Sequence, residues 1–194
     1  MDRKPVSVKS YANIAIVKYW GKADAERMIP STSSISLTLE NMYTETKLSF
    51  LPEDVTSDVM YIDDELQGEK ETTKASKVLD LFRTNPNQHV KIETWNNMPT
   101  AAGLSSSSSG LSALVKASNE LFQVGKTQSE LAQIAKFASG SSSRSFFGPL
   151  AAWDKDSGEV YPVETDLKLA MIMLVLTDQK KPVSSRDGMK LCTE

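Results

Sequence analysis

The stretch Asn97-Met-Pro-Thr-Ala-Ala-Gly-Leu-Ser-Ser-Ser-Ser-Ser-Gly110 determines how the rest of the chain is interpreted. A strand-like run at 90–95 precedes it, and a helix-like run at 111–122 follows it. Proline, small residues and glycine allow the backbone to turn tightly and to approach a ligand. The serines lie where a helix would begin, so unpaired backbone N–H groups and hydroxyls can converge on one anion. The stretch is therefore predicted to be a phosphate-binding loop, and the alternative is a flexible serine-rich linker.

The composition is that of an ordinary soluble domain. The 194 residues include 22 Lys and Arg and 25 Asp and Glu, which gives a formal net charge of −3. This balance argues against nucleic-acid binding, which needs a concentrated basic face. The single cysteine, Cys192, precludes an intrachain disulfide and favours a reducing, cytoplasmic setting. No signal peptide is recognisable, and the longest apolar run, 169–176, is too short to span a bilayer.

Apolar periodicity predicts strands first and helices interleaved later, which indicates an α+β fold. Helices are predicted at 69–83 and after Thr127-Gln-Ser-Glu130, which has the form of a capping box. In the second of these helices, Leu131, Ile134, Ala135 and Ala138 are expected to face inward. Further strands are predicted at 6–19, 35–39, 44–51, 59–62, 146–153, 160–163 and, buried on both faces, 169–176.

Two further clusters suit anion binding. In Lys18-Tyr-Trp-Gly-Lys22, at a strand end, the Lys22 ammonium and the Tyr19 hydroxyl can bind phosphate. A surface turn with incidental lysines explains that cluster equally well. In Ser139-Gly-Ser-Ser-Ser-Arg-Ser145, the guanidinium fork of Arg144 can make two parallel bonds to an oxyanion or carboxylate. The alternative there is an exposed arginine in a loop.

Other chemistries find less support in the residues. Asp63 and Asp64 are interpreted as turn residues rather than metal ligands. One histidine, His89, and one cysteine argue against structural zinc and against a Ser-His-Asp triad. The motifs of P-loop NTPases and of Rossmann dinucleotide-binding domains are both missing, so neither interpretation applies.

Three motifs carry a family resemblance. Pro99-Thr-Ala-Ala-Gly-Leu-Ser-Ser-Ser-Ser resembles the phosphate loop of the GHMP kinase superfamily. Asn13-Ile-Ala-Ile-Val-Lys-Tyr-Trp-Gly-Lys22, together with Ser139-Gly-Ser-Ser-Ser-Arg144, resembles the diphosphomevalonate (mevalonate pyrophosphate) decarboxylase family of the Gram-positive bacterial type. The resemblance extends over residues 6–191. It implies a GHMP-kinase fold, with a ribosomal-protein-S5-like two-layer domain at 1–178 and the start of a largely missing C-terminal subdomain at 179–194.

The resemblance implies an ATP-dependent decarboxylation of mevalonate 5-diphosphate to isopentenyl diphosphate in isoprenoid biosynthesis. ADP, phosphate and CO₂ are released. Phosphorylation converts the tertiary hydroxyl into a good leaving group, and preorganised electrostatics then stabilise the charge that develops. Mg²⁺ is expected to accompany the nucleotide. A cytoplasmic homodimer is also implied, with mevalonate 5-diphosphate and ATP as ligands and neither nucleic acid nor membrane as a partner.

Site residues follow from the resemblance by position. Arg144 is expected to hold the substrate carboxylate with help from Asn13, and Lys18 is expected to lie close to the reacting centre. The remaining substrate-binding residues implied in this way are Tyr19, Lys22, Ser139, Gly140, Ser141 and Arg186. The residues implied to bind ATP are Pro99, Ala102, Gly103, Leu104, Ser105, Ser106 and Ser107. The resemblance assigns no side chain to the metal.

One departure from the family separates the alternatives. Its members continue well past residue 194, and that part carries a Met-Asp-Ala-Gly-Pro-Asn type motif whose aspartate acts on the hydroxyl. No such motif occurs in this sequence. A GHMP small-molecule kinase, such as mevalonate or phosphomevalonate kinase, and a non-catalytic ATP-binding fragment are therefore the alternatives. A serine-rich RNA-associated module is disfavoured by the negative net charge.

The missing aspartate predicts that the 194-residue chain alone is inactive or nearly so. Phosphate release should stay at background when ATP and mevalonate 5-diphosphate are added together. Release above background would contradict this expectation, and CO₂ formed alongside ADP would then distinguish a decarboxylase from a kinase.

Overall fold

The computed structural model describes residues 4–24, 26–98 and 106–172. The strands in these ranges are β1 (Val6–Val17), β2 (Lys22–Asp24), β3 (Ile29–Pro30), β4 (Ser34–Phe50), β5 (Val59–Ile62), β6 (Glu65–Leu66), β7 (Val90–Asn96), β8 (Leu150–Trp153) and β9 (Val160–Val163). The helices are α1 (Glu69–Leu79), α2 (Ser106–Leu121), α3 (Gln128–Ala138) and α4 (Gly140–Ser143), followed by a 3₁₀ turn at Arg144–Phe146. The predicted α+β class is confirmed.

β4 is the strand around which the main sheet is built. Antiparallel β1 lies along one edge, from Val6 opposite Leu48 to Val17 opposite Ile35. The other edge is shared, because residues 34–37 pair with β8 and residues 44–50 pair with β7. The sequence predicted two strands here, and that division is wrong. The interruption is a bulge inside one strand, where the pairing passes from Tyr43 directly to Leu39.

The remaining strands extend the sheet in the order β6-β5-β7-β4-β8-β9. Only β5 and β7 pair in parallel among the described strands, and the chain between them supplies the crossover helix α1. Asp63 and Asp64 form the turn between β5 and β6, with φ angles of 51° and 66°. Their interpretation as turn residues is confirmed, and the described residues contain no cluster of acidic, histidine or cysteine side chains able to hold a metal ion.

The larger hydrophobic core lies between helices α1–α3 and one face of the sheet. Truncating a leucine in such a core to alanine costs about 2–5 kcal/mol. A smaller cluster covers the opposite face near β8 and the start of β4. Fully buried side chains of the larger core include Leu48, Leu79, Val90, Ile92 and Val115.

The irregularity where β1 pairs with the bulged part of β4 decides which side chains of β1 reach the helices. Ser10 bonds to Ser112 of α2, and Asn13 bonds to the segment that contains α4. In a regular strand, residues three apart point to opposite faces of the sheet. The irregularity between Tyr11 and Ala12 restores both side chains to the helical face.

Three other expectations differ from the structure. The strand predicted at 146–153 begins only at Leu150, because Phe146 lies in the 3₁₀ turn. Ala138 is exposed, and Lys136 is buried in its place, where its ammonium donates to the Gly158 carbonyl at 2.8 Å. The run predicted as a doubly buried strand forms no strand at 169–172, where it is exposed. Residues 173–176 and the predicted second subdomain, 179–194, lie outside the described residues.

None of the described helices is long and apolar enough to cross a membrane.

The capping box predicted at the start of α3 is confirmed. Thr127 Oγ1 accepts from the Glu130 backbone N–H at 3.3 Å, and Glu130 Oε2 accepts from the Thr127 backbone N–H at 2.8 Å. The bonds that the Thr127 backbone N–H and hydroxyl donate to the Glu130 carboxylate lower the pKa of Glu130, the backbone bond having the largest effect. The box fixes where α3 begins.

Replacing Thr127 with alanine should lower the free energy of unfolding by about 1 kcal/mol, because the Glu130 backbone N–H loses its acceptor and the reciprocal box is broken. Urea denaturation measures the change. Thr127→Ser keeps the hydroxyl and is the control. Equal losses in both variants would show that the cap does not cause the effect.

Candidate functional site

Arg144 is a buried guanidinium held by neutral hydroxyls. Its side chain is 2% exposed, although it lies in the 3₁₀ turn that follows α4. Nε donates to the Ser36 hydroxyl, and Nη1 donates to the Ser34 hydroxyl at 2.8 Å. Ser34 and Ser36 are two apart in β4, so they present both acceptors on one face of the sheet. Among the described residues, Arg144 forms no ion pair with a carboxylate.

This environment leaves the positive charge uncompensated. Burial lowers the pKa of Arg144 to about 10, with a smaller opposing contribution from Tyr19. The group is therefore still cationic near neutral pH. A guanidinium has five N–H donors, and the two serines engage only two of them. The remaining donors and the unpaired charge make this position suitable for an anion.

An aromatic wall borders the guanidinium. The Tyr19 ring lies with its centroid 5.5 Å from the Arg144 guanidinium carbon. Trp153 of β8 packs edge-on against Tyr19, with a centroid separation of 4.7 Å. Both aromatic side chains are buried. The wall thus shields one side of Arg144 from water and strengthens its electrostatic interactions.

Gly140 is required by this wall. A Cβ added at Gly140 would lie 2.5 Å and 2.7 Å from two ring carbons of Trp153, and 3.1 Å from the Tyr19 hydroxyl. Atoms cannot approach so closely without displacing the indole or the α4 backbone. Glycine therefore allows the start of α4 to lie directly against the aromatic pair.

Asn13 completes the cluster from β1. Its Nδ2 group donates to the Ser141 carbonyl at 2.9 Å and to the Ser145 hydroxyl at 2.8 Å. Because a carbonyl can only accept, the Ser141 contact fixes the orientation of the amide. Asn13 Oδ1 is then a buried acceptor without a hydrogen-bond partner in the described part of the chain. The amide therefore offers a ligand an acceptor rather than a donor.

Some of the predicted site residues lie close together around Arg144 in the structure, and others do not. Asn13, Tyr19, Gly140, Ser141 and Arg144 lie together, and the Ser139 hydroxyl is 3.2 Å from that of Ser141. The two lysines of the Lys-Tyr-Trp-Gly-Lys motif are exposed. The ammonium of Lys18 lies 5.4 Å from the Trp20 ring centroid, and that of Lys22 lies 3.1 Å from Met28 Sδ. Arg186 lies outside the described residues.

The serine run divides at the start of α2. Ser107 is exposed, whereas Ser108 and Ser109 are fully buried. Ser109 Oγ lies 2.7 Å from Thr44 Oγ1 of β4. The helix begins at Ser106, earlier than its apolar periodicity predicted, which places a helix N-terminus at the serines as expected. The predicted ATP-binding positions 99–105 and the Ser106 side chain lie outside what the structure describes.

Ser34, Ser36 and Trp153 were not identified from the sequence. Ser36 alternates with apolar residues in the predicted strand at 35–39, and Ser34 lies just before that strand, so the sequence indicates only a strand pattern there. Ser34 and Ser36 are separated along the sequence from Arg144, to which they bond, by 110 and 108 residues. No local signal reports a contact over that distance.

A family sequence model, curated relatives and solved structures all match this chain. The sequence model of the diphosphomevalonate decarboxylase-like N-terminal domain matches residues 10–161. Diphosphomevalonate decarboxylase of Candida albicans is 34% identical over 95% of this chain and 57% of its own length. The chain thus spans little more than half of that curated relative.

Solved structures give the same result. Mevalonate pyrophosphate decarboxylase of Streptococcus pyogenes is 67% identical, with a TM-score of 0.92 over 100% of this chain and 61% of that chain. A complex of a protein called MDDEF with MVAPP, AMPPCP and magnesium is 36% identical, with a TM-score of 0.78 over 96% of this chain and 60% of that chain. The expected GHMP-kinase type of fold is confirmed by these neighbours, as is the shorter length of this chain.

Gly140→Ala should destabilise the protein by about 1–3 kcal/mol, because the new methyl group overpacks against the indole of Trp153. Thermal unfolding measures the change. Gly110→Ala is the matched control, since a Cβ at Gly110 meets nothing within 4 Å and alanine favours the interior of α2. A Gly140→Ala protein as stable as wild type would contradict the packing described here.

Proposed function

We propose that this chain, which belongs to the diphosphomevalonate decarboxylase-like family, forms the substrate-anion site of an ATP-dependent mevalonate 5-diphosphate decarboxylase. The activity proposed for the whole protein converts this substrate into isopentenyl diphosphate and releases ADP, phosphate and CO₂. The single observation that supports the proposal most strongly is that Arg144 is buried and pairs with no carboxylate among the described residues. Family membership then selects the chemical identity of the anion.

The substrate carboxylate is the proposed partner of Arg144. A desolvated guanidinium without an internal carboxylate stabilises an incoming one strongly, and two parallel N–H bonds fix its plane. Ser34 and Ser36 accept hydrogen bonds from the Arg144 guanidinium, so the orientation of the guanidinium is set before the substrate binds. Preorganised charge of this kind costs no reorganisation during the reaction. Arg144 thereby keeps the carboxylate ionised and aligned until its carbon–carbon bond breaks.

Asn13 is proposed to accept a hydrogen bond from the substrate hydroxyl. The resemblance assigned Asn13 to the carboxylate, but both of its N–H groups are already engaged. An amide oxygen repels a carboxylate and attracts an O–H donor. The free Oδ1 therefore suits the tertiary hydroxyl better than the carboxylate. In this role, Asn13 would hold the oxygen to which phosphate is transferred.

The substrate diphosphate is proposed to lie beyond Tyr19. The Tyr19 hydroxyl sits against Gly140, and Ser139 and Ser141 flank that glycine in the chain, with their hydroxyls 3.2 Å apart. Lys22 and Arg186 are proposed as the cationic contacts, because phosphate groups need several positive charges, and Lys18 is proposed to lie close to the reacting centre. These assignments rest on the resemblance and on the position of the Lys-Tyr-Trp-Gly-Lys motif.

The nucleotide is proposed to bind at the start of α2. This helix has sixteen residues, and its N-terminus offers unpaired N–H groups to phosphate. Exposed Ser107 and the loop residues Pro99, Ala102, Gly103, Leu104, Ser105 and Ser106 are the proposed contacts. Mg²⁺, when bound with ATP, would neutralise phosphate oxygens. The described residues hold no acidic cluster for it, so no step is assigned through the metal.

Charge at Ser36 provides the direct test. Ser36→Asp would give Arg144 an internal carboxylate, which should lower affinity for mevalonate 5-diphosphate by roughly a hundredfold without loss of thermal stability. Isothermal titration measures the affinity. Ser36→Asn has nearly the same shape without the charge and is the matched control. Arg144→Ala should weaken binding by roughly tenfold to a hundredfold.

The outcomes separate clearly. Equal affinities for Ser36→Asp and Ser36→Asn would show that the charge of Arg144 does not bind the ligand. Wild-type affinity in Arg144→Ala would remove the residue from the site altogether.

A further inference from the structure

Lys116 is a lysine of α2 whose ammonium group points into the protein. Its Nζ donates to the Ser10 hydroxyl at 3.1 Å and to the Ser145 backbone carbonyl at 3.2 Å. The same Nζ lies 4.8 Å from the Phe146 ring centroid. One side chain thus contacts β1 and the 3₁₀ turn while belonging to α2. It has no ion-pair partner in the described part of the chain.

The groups that Lys116 holds lead directly to the candidate site. Ser145 follows Arg144, and its hydroxyl accepts from Asn13. Ser10 is bonded in turn to Ser112, one turn before Lys116 on α2. Without the ammonium, the Ser145 carbonyl would keep the longer bond from the Ser10 hydroxyl, at 3.4 Å, and the turn that carries Arg144 would be held less tightly. Loss of the ammonium would also loosen the hydrogen-bond partner of Asn13.

A second contact holds the same turn from another helix. Gln128, the first residue of α3, donates to the carbonyl of Phe146. That amide is neutral, so it holds the turn at every pH. Lys116 supplies the one charged contact to this turn's backbone among the described residues. Burying a cation in part costs free energy of desolvation, so a charged side chain at this position indicates that the charge has a role.

The surroundings of Lys116 contain little opposing charge. An open cleft of about 530 Å³ exposes one side of it, lined also by Val8 of β1, Leu131 of α3 and Glu120 of α2. Glu120 is the one acidic group among these lining residues, and it forms no ion pair with Lys116. Facing elements otherwise contribute Ser10 and the Phe146 ring.

We propose that Lys116 is a positioning residue for the substrate-anion site, holding the Arg144–Phe146 turn in register with α2 through its charged contact to the Ser145 carbonyl. The inference rests on the proposed function of Arg144 and Asn13. It connects the helix proposed to receive ATP with the turn proposed to receive the substrate carboxylate. The two ligand sites are thereby kept at a fixed separation.

Protonation of Lys116 gives this role a measurable signature. Burial lowers the pKa of Lys116 from its ordinary 10.5 to about 8. Lys116 is therefore charged near pH 7 and loses its charge, though not its N–H donors, as the pH rises through about 8, while Arg144 stays cationic to about pH 10. Affinity for the substrate anion should consequently fall between about pH 7 and about pH 9.

Three variants test the proposal by isothermal titration with mevalonate 5-diphosphate at about pH 7 and about pH 9. Lys116→Met should bind roughly tenfold more weakly at the lower pH and lose little more at the higher one. Lys116→Arg should keep the affinity at both values, since its charge persists. Lys136→Met removes another buried lysine that donates to a backbone carbonyl, and it should follow wild type at both values.

The results can overturn the proposal in several ways. Wild-type affinity in Lys116→Met at about pH 7, or a wild-type fall in Lys116→Arg, would contradict it. Should Lys116→Met fail to fold by circular dichroism, the comparison of wild type with Lys116→Arg still decides the question. A wild-type chain that binds no substrate would instead contradict the proposed function, whereas equal binding by all four proteins would contradict only the role of Lys116.

Discussion

The structure depends on a cation buried among neutral hydroxyls. Desolvating the Arg144 guanidinium is unfavourable, and the described part of the protein offers it no carboxylate in return. Ser34 and Ser36 satisfy two donors without cancelling the charge. The uncompensated guanidinium therefore lowers the stability of the free protein, and an anionic ligand would offset this loss. This arrangement distinguishes a receptor for anions from a structural ion pair such as Arg83 with Asp58, where the charges cancel internally.

The rest of the fold can be understood as support for this position. β4 is long enough to pair with β7 and β8 on one edge, which brings its serines beneath the segment that follows α3. The irregular pairing of β1 with the bulged part of β4 turns Asn13 to the same face. Gly140 allows that segment to lie against Trp153. Two helices then hold consecutive carbonyls of the 3₁₀ turn, through Lys116 and Gln128.

Local sequence patterns were sufficient to predict caps, turns and helix starts, but not strand continuity or contacts between distant residues. The capping box at Thr127, the turn at Asp63 and the helix start at the serines follow from neighbouring residues, and all are confirmed. The continuity of β4 was missed because its bulge resembles a turn between two strands. Ser36 and Lys116 were missed because strand register and helix packing, rather than spacing, bring them to the 3₁₀ turn. The roles of the site residues remain predictions.

A crystal structure of this chain with mevalonate 5-diphosphate would test the central claim most directly. We expect the substrate carboxylate within hydrogen-bond distance of the Arg144 guanidinium, with Ser34 and Ser36 still accepting from Nη1 and Nε. Asn13 Oδ1 should accept from the substrate hydroxyl in the same complex. A substrate carboxylate bound elsewhere, or Arg144 paired with an acidic side chain of its own chain, would show that Arg144 is not the carboxylate receptor.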